Sequence, residues 1–75
     1  MALSKTDTAT IKNLSIHLRL GNLDSVALGA SAFIRSATSD MVANKRRAAL
    51  AEIGVVVSPV DCPLSSDVTF SQEAA

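Results

Sequence analysis

Asp24–Ile53 reads DSVALGASAFIRSATSDMVANKRRAALAEI, contains no proline and is followed by Gly54. Most of its residues are good helix formers, and a glycine directly after such a segment is typical of a helix end. Apolar residues recur in it at spacings of three and four, which places them on one face of a helix. This apolar stripe consists of Val26, Ala30, Phe33, Ala37 and Met41. The segment predicts a mainly α protein.

A break in this helical segment is expected at Ser36-Ala-Thr-Ser-Asp40. Its three hydroxyl residues and its aspartate compete with a helix for backbone hydrogen bonds. Ser39 also suits the N-cap of a separate helix that would run to Ile53. The expected architecture is therefore a helical hairpin or three short helices, with an extended C-terminal tail.

The preceding segment, Thr8–Leu20, admits two interpretations. As a strand, it alternates apolar and polar residues without a miss from Leu14 to Leu20. As a helix, it carries an apolar stripe formed by Ile11, Leu14 and Leu18, with Ile16 and Leu20 on the opposite side. We favour the helix because Gly21-Asn22 suits a helix C-terminus. A helix with two apolar faces must be covered on both, which indicates an oligomer.

Charge and composition divide the chain into a helical body, residues 1–54, and an acidic tail, residues 55–75. The body has seven basic and four acidic residues, whereas the tail has three acidic residues and no basic one. Val55–Val60 is rich in β-branched residues and predicts a short edge strand or an arm laid along a helix. We expect the tail to be extended or disordered.

The size of the chain argues for a partner. Seventy-five residues with two phenylalanines and neither Trp nor Tyr provide little apolar area to bury. Small proteins compensate with disulfides, metals or oligomerisation, and a single cysteine and a single histidine exclude an internal disulfide and argue against a zinc site. We therefore expect a homo-oligomer or a complex with another protein, with an interface formed by Ile11, Leu14, Leu18, Val26, Ala30, Phe33, Ala37 and Met41.

Catalysis, cofactors and a small-molecule substrate are not expected. His17 is the only imidazole, and Cys62 has no basic neighbour in sequence to activate its thiol. No phosphate-binding glycine motif is present. The longest uncharged run has ten residues, too few to span a membrane, and the N-terminus lacks the apolar core of a secretory signal. We expect a cytoplasmic regulatory or assembly subunit.

The basic cluster Lys45-Arg46-Arg47 gives little indication of a binding site. Consecutive helix residues point about 100° apart and cannot form one flat patch. We expect these three side chains to be solvated near a helix C-terminus, where cations are favoured by the helix dipole.

Asn13-Leu-Ser-Ile-His-Leu-Arg-Leu20 resembles the first strand of the ribbon-helix-helix DNA-binding proteins, and Ser31–Ala37 is similar to the start of their second helix. In that family two strands pair in a dimer and present alternate polar side chains to the major groove. The resemblance implies an alternative function, a dimeric DNA-binding repressor. Its base-reading residues would be Asn13, Ser15, His17 and Arg19.

Overall fold

The computed structural model describes residues 3–71, which form three α-helices and one two-stranded antiparallel sheet. The prediction of a mainly helical protein is confirmed, and the helices number three in this part of the chain. The elements in chain order are α1 (Lys5–Arg19), α2 (Leu23–Arg35), α3 (Asp40–Glu52), β1 (Val55–Val57), a 3₁₀ turn (Ser65–Asp67) and β2 (Val68–Phe70).

Local signals set the helix ends. The Ser4 hydroxyl accepts a hydrogen bond from the Asp7 N–H at 3.1 Å and caps α1. The Ser39 hydroxyl caps α3 in the same way, so the predicted break before Asp40 is confirmed. Gly21 and Gly54 follow α1 and α3 with φ angles of 80° and 87°, a region that residues with a side chain rarely adopt.

Residues 8–19 are helical, so the strand interpretation of this segment is wrong and the helical one is confirmed. A strand would have needed a neighbour to pair with its backbone groups, whereas a helix satisfies them within the segment. The helix also directs Leu14 into the core, where it packs against α2. Gly29 of α2 leaves the space for this contact, because a Cβ atom there would lie 2.7 Å from a Leu14 methyl carbon.

All three helices and both strands contribute to one hydrophobic core. The α2 helix lies at its centre and contacts α1, α3 and both strands. The buried apolar residues are Leu14, Val26, Ala30, Phe33, Ile34, Ala43, Leu50, Val55, Val57 and Val68.

The segment that follows α3 folds back onto the helices. Its two strands pair in the register Val55↔Phe70, Val56↔Thr69 and Val57↔Val68. Val55 and Val57 point into the core and Val56 points to solvent, as the alternation of a strand requires. Residues 55–71, expected to be extended or disordered, therefore complete the core. The expectation for residues 72–75 lies outside the described part of the chain.

Candidate functional site

The eight residues predicted to form an interface do not form one surface. Val26, Ala30, Phe33 and Leu14 are buried inside the chain. Ile11, Leu18 and Ala37 are half-buried and pack against the same core, whereas Met41 is 65% exposed. A side chain buried within its own chain cannot contact a partner unless the fold opens. The four buried residues therefore belong to the core, and the other four keep part of their surface open to solvent.

Arg46 joins the three helices. Its guanidinium donates hydrogen bonds to both carboxylate oxygens of Asp7, at 3.0 and 3.1 Å, and to the Phe33 carbonyl oxygen. It also donates to the Ser36 hydroxyl and lies 4.4 Å from the centre of the Phe33 ring. The expectation that this arginine is solvated is wrong. The sequence carries no signal for the pair with Asp7, because the two residues lie in different helices.

Arg47 is partly buried and ties the loop after β1 to α3. It donates to the Asn44 side-chain oxygen at 3.2 Å and to the Val60 carbonyl oxygen at 3.1 Å. Beside it lies a cleft of about 500 Å³, whose charged lining residues are Arg35, Asp40, Arg47 and Asp61. Two cations and two carboxylates balance, so this cleft does not favour an ion of either sign.

The four residues of the DNA-binding alternative lie on a helix, which corrects the strand that this function requires. Residues two positions apart in α1 point about 200° apart, so Asn13 and His17 lie on one side of the helix, Ser15 and Arg19 lie on the other, and the four cannot line one groove together. Ser15 is half-buried and the other three are exposed. The amide of Asn22 lies 3.4 Å from the His17 ring, at the turn after the helix.

The outer face of α1, which we define as Ala9, Asn13, Ile16 and Leu20, is an exposed surface that carries two large apolar side chains next to each other. These residues follow one another at spacings of four, three and four, and all four are exposed. Ile16 is 46% exposed and Leu20 69%. The inner face of the same helix is already packed in the core. The sequence signal for this surface was the second apolar side of the helix.

Other candidate groups remain apart. Cys62 is exposed in the loop between the strands, and His17 lies on α1. Within residues 3–71, no three or more His, Cys, Asp or Glu side chains converge on a point where they could hold a metal ion. None of the helices in this range is both long enough and apolar enough to cross a bilayer.

A comparison with protein families finds no matching family model, and comparisons with curated proteins and with solved structures find no significant match.

Proposed function

We propose that this chain is a small, non-enzymatic interaction subunit that acts by docking another polypeptide, a second copy or a different chain, onto the outer face of α1. It would serve as a regulatory or assembly component. The proposal includes a cytosolic location, where the exposed thiol of Cys62 would stay reduced.

The observation that carries this proposal is the two-sided character of α1. Its inner face supplies Leu14 to the core, and Ile11 and Leu18 pack beside it. Its outer face exposes Ile16 and Leu20, one helical turn apart, where neighbouring side chains can be covered by one partner. Single exposed apolar residues are ordinary on protein surfaces, whereas exposed apolar side chains that adjoin one another, as Ile16 and Leu20 do, are a feature of interaction surfaces.

The capped and cross-braced body supports the same proposal. The Ser4 and Ser39 caps close the first turns of α1 and α3. Arg46 holds α3 against α1 through Asp7 and against α2 through the Phe33 carbonyl oxygen. A rigid helix loses little conformational entropy when a partner binds, so even a modest apolar surface can contribute to affinity.

Site-specific photo-crosslinking in the native host tests this proposal. A photoreactive phenylalanine analogue at Leu20 is expected to give a discrete adduct with one polypeptide. The same analogue at Leu64 is the matched control, because Leu64 is a leucine of similar exposure, 56%, that lies in a loop. Equal or absent crosslinking at the two positions would reject α1 as the docking surface.

The mass of the crosslinked adduct and the oligomeric state of the purified protein, measured by sedimentation equilibrium, then show whether the partner is a second copy or a different chain. An adduct of twice the chain mass, together with a dimer of the purified protein, assigns a second copy. A different adduct mass, together with a purified monomer, assigns a different chain.

A further inference from the structure

The outer face of α1 has the periodicity of a coiled-coil seam. Extended by one turn to Thr6, the exposed positions recur at alternating spacings of three and four: Thr6, Ala9, Asn13, Ile16 and Leu20. Three of the five residues, Ala9, Ile16 and Leu20, are apolar, and apolar residues at a 3–4 repeat are the pattern by which one helix packs along another. The seam spans about 21 Å of helix at 1.5 Å per residue. It fits two heptads of a partner helix.

One flank of this seam carries only positive charge. Lys5, Lys12 and Arg19 are exposed and lie seven residues apart, each directly before a seam residue. Residues seven apart stay on the same side of a helix, so the three cations form a row beside the seam. The single acidic residue of α1, Asp7, points the other way and is held by Arg46. No carboxylate of the helix itself neutralises this row.

A second copy of α1 does not place carboxylates opposite the row of Lys5, Lys12 and Arg19. Flanking positions set the partner and orientation of paired helices. In an antiparallel pair, the cationic flank of one copy would face that of the other and repel it. In a parallel pair, it would face the opposite flank, where Thr10 and His17 stand and offer no carboxylate.

We propose that the outer face of α1 docks an amphipathic helix with acidic flanking residues, contributed by a different protein. This inference rests on the proposed function and names the class of partner. Ile16 and Leu20 pack into the apolar seam of that helix, while Lys5, Lys12 and Arg19 pair with its carboxylates.

A helix fits this surface better than a membrane or a nucleic acid. The seam holds two large apolar side chains, Ile16 and Leu20, and continues through polar Asn13 to the small Ala9, so it is short and narrow, whereas helices that lie in a lipid interface have a broad apolar face. Three cations about 10 Å apart give few phosphate contacts. Neither a membrane nor a nucleic acid would require Ile16 and Leu20 to lie one helical turn apart.

A pair of designed peptides tests the proposal. The acidic peptide has three heptads with leucine or isoleucine in the seam, one seam asparagine, and glutamate on both flanks. The matched peptide has lysine at every glutamate. Self-repulsion of the flanks keeps each peptide from pairing with itself. Fluorescence anisotropy of the labelled peptides against the full chain is expected to show at least roughly tenfold tighter binding of the acidic peptide, weakening as salt is raised.

Variants of the full chain test whether the peptide binds through the basic flank and the apolar seam of α1. K5E/K12E/R19E is expected to invert the preference, so that the lysine peptide binds and the acidic one does not. K5R/K12R/R19K keeps the charge and is expected to bind as the wild type does. I16Q/L20Q is expected to lose at least roughly tenfold in affinity for the acidic peptide. Circular dichroism melts of each variant establish that the fold is retained.

Each contrary outcome is distinct. Equal binding of both peptides, binding of neither, or an unchanged preference in K5E/K12E/R19E overturns the proposal. Binding of anionic phosphatidylserine vesicles or duplex DNA in place of the acidic peptide also overturns it. If the peptides fail but Leu20 still crosslinks to a polypeptide, the interaction function stands and this choice of partner falls.

Discussion

Arg46 and Asp7, 39 residues apart in the sequence, are joined by two hydrogen bonds between the guanidinium and the carboxylate, at 3.1 and 3.0 Å. Both side chains are largely buried, with 15% and 13% of their surfaces exposed. A fork-to-fork pair in this setting fixes both orientation and distance. Because Arg46 also donates to the Phe33 carbonyl oxygen, this one side chain positions α1 against both other helices.

Removing Arg46 is expected to destabilise the fold strongly. Arg46→Met leaves the largely buried Asp7 carboxylate without its two guanidinium donors and the Phe33 carbonyl oxygen with the Ser36 hydroxyl as its side-chain donor, which should lower the free energy of unfolding by about 2–3 kcal/mol. Urea titration followed by circular dichroism measures the change, since the chain lacks Trp and Tyr. Arg35→Met, the exposed control, should change stability by less than about 0.5 kcal/mol. Equal losses in the two variants would contradict the bracing role.

Local sequence signals predicted the helix ends. Ser39, Gly21 and Gly54 act within a few residues of themselves, so their neighbours in sequence were enough to recognise them. The same holds for the break at residues 36–39. The pairing of Arg46 with Asp7 depends on how helices come together, and that information is not local.

The periodicity of α2 predicted which face is buried but not what buries it. Val26 and Ala30 belong to the expected stripe, and both are fully buried. The sequence alone predicts that a second chain covers them, because it predicts an extended or disordered tail for residues 55–75. Val55 and Val57 supply part of that cover within the same chain. Three-residue strands have no pattern long enough to reveal this role.

The helical body is expected not to fold without the strands. A chain of residues 1–54 lacks Val55, Val57 and Val68, and each buried valine contributes about 1.5–3 kcal/mol, against a total stability of about 5 kcal/mol for a small domain. Its circular dichroism spectrum should show little helix at 25 °C. A chain of residues 1–71 keeps every core residue named above and should melt cooperatively. A helical, cooperatively melting 1–54 chain would show that the helical body folds without the strands, contrary to this prediction.

Gly29 and Leu14 should show strong coupling. Gly29→Ala should stabilise α2 by about 1 kcal/mol, because alanine has the higher helix propensity. The new methyl group, however, would lie 2.7 Å from a Leu14 methyl carbon, and such overpacking lowers the free energy of unfolding by about 1–3 kcal/mol. We expect no net gain of stability in the wild-type background, because the Leu14 methyl group must move out of its place in the core. In a Leu14→Ala background the clash is gone, so the same glycine substitution should stabilise by about 1 kcal/mol. Urea titrations of the four proteins measure the coupling, and additive effects would contradict the contact.

The two faces of α1 should separate stability from binding. Leu14→Gln places an amide in the core and should lower the free energy of unfolding by about 2–4 kcal/mol, whereas Leu20→Gln changes an exposed side chain and should stay within about 0.5 kcal/mol of the wild type. The substitution is identical at both sites, and glutamine is a good helix former, so propensity does not confound the comparison. Thermal melts followed by circular dichroism measure the difference. A large loss of stability in Leu20→Gln would show that this leucine stabilises the fold and is not an exposed residue available for binding a partner.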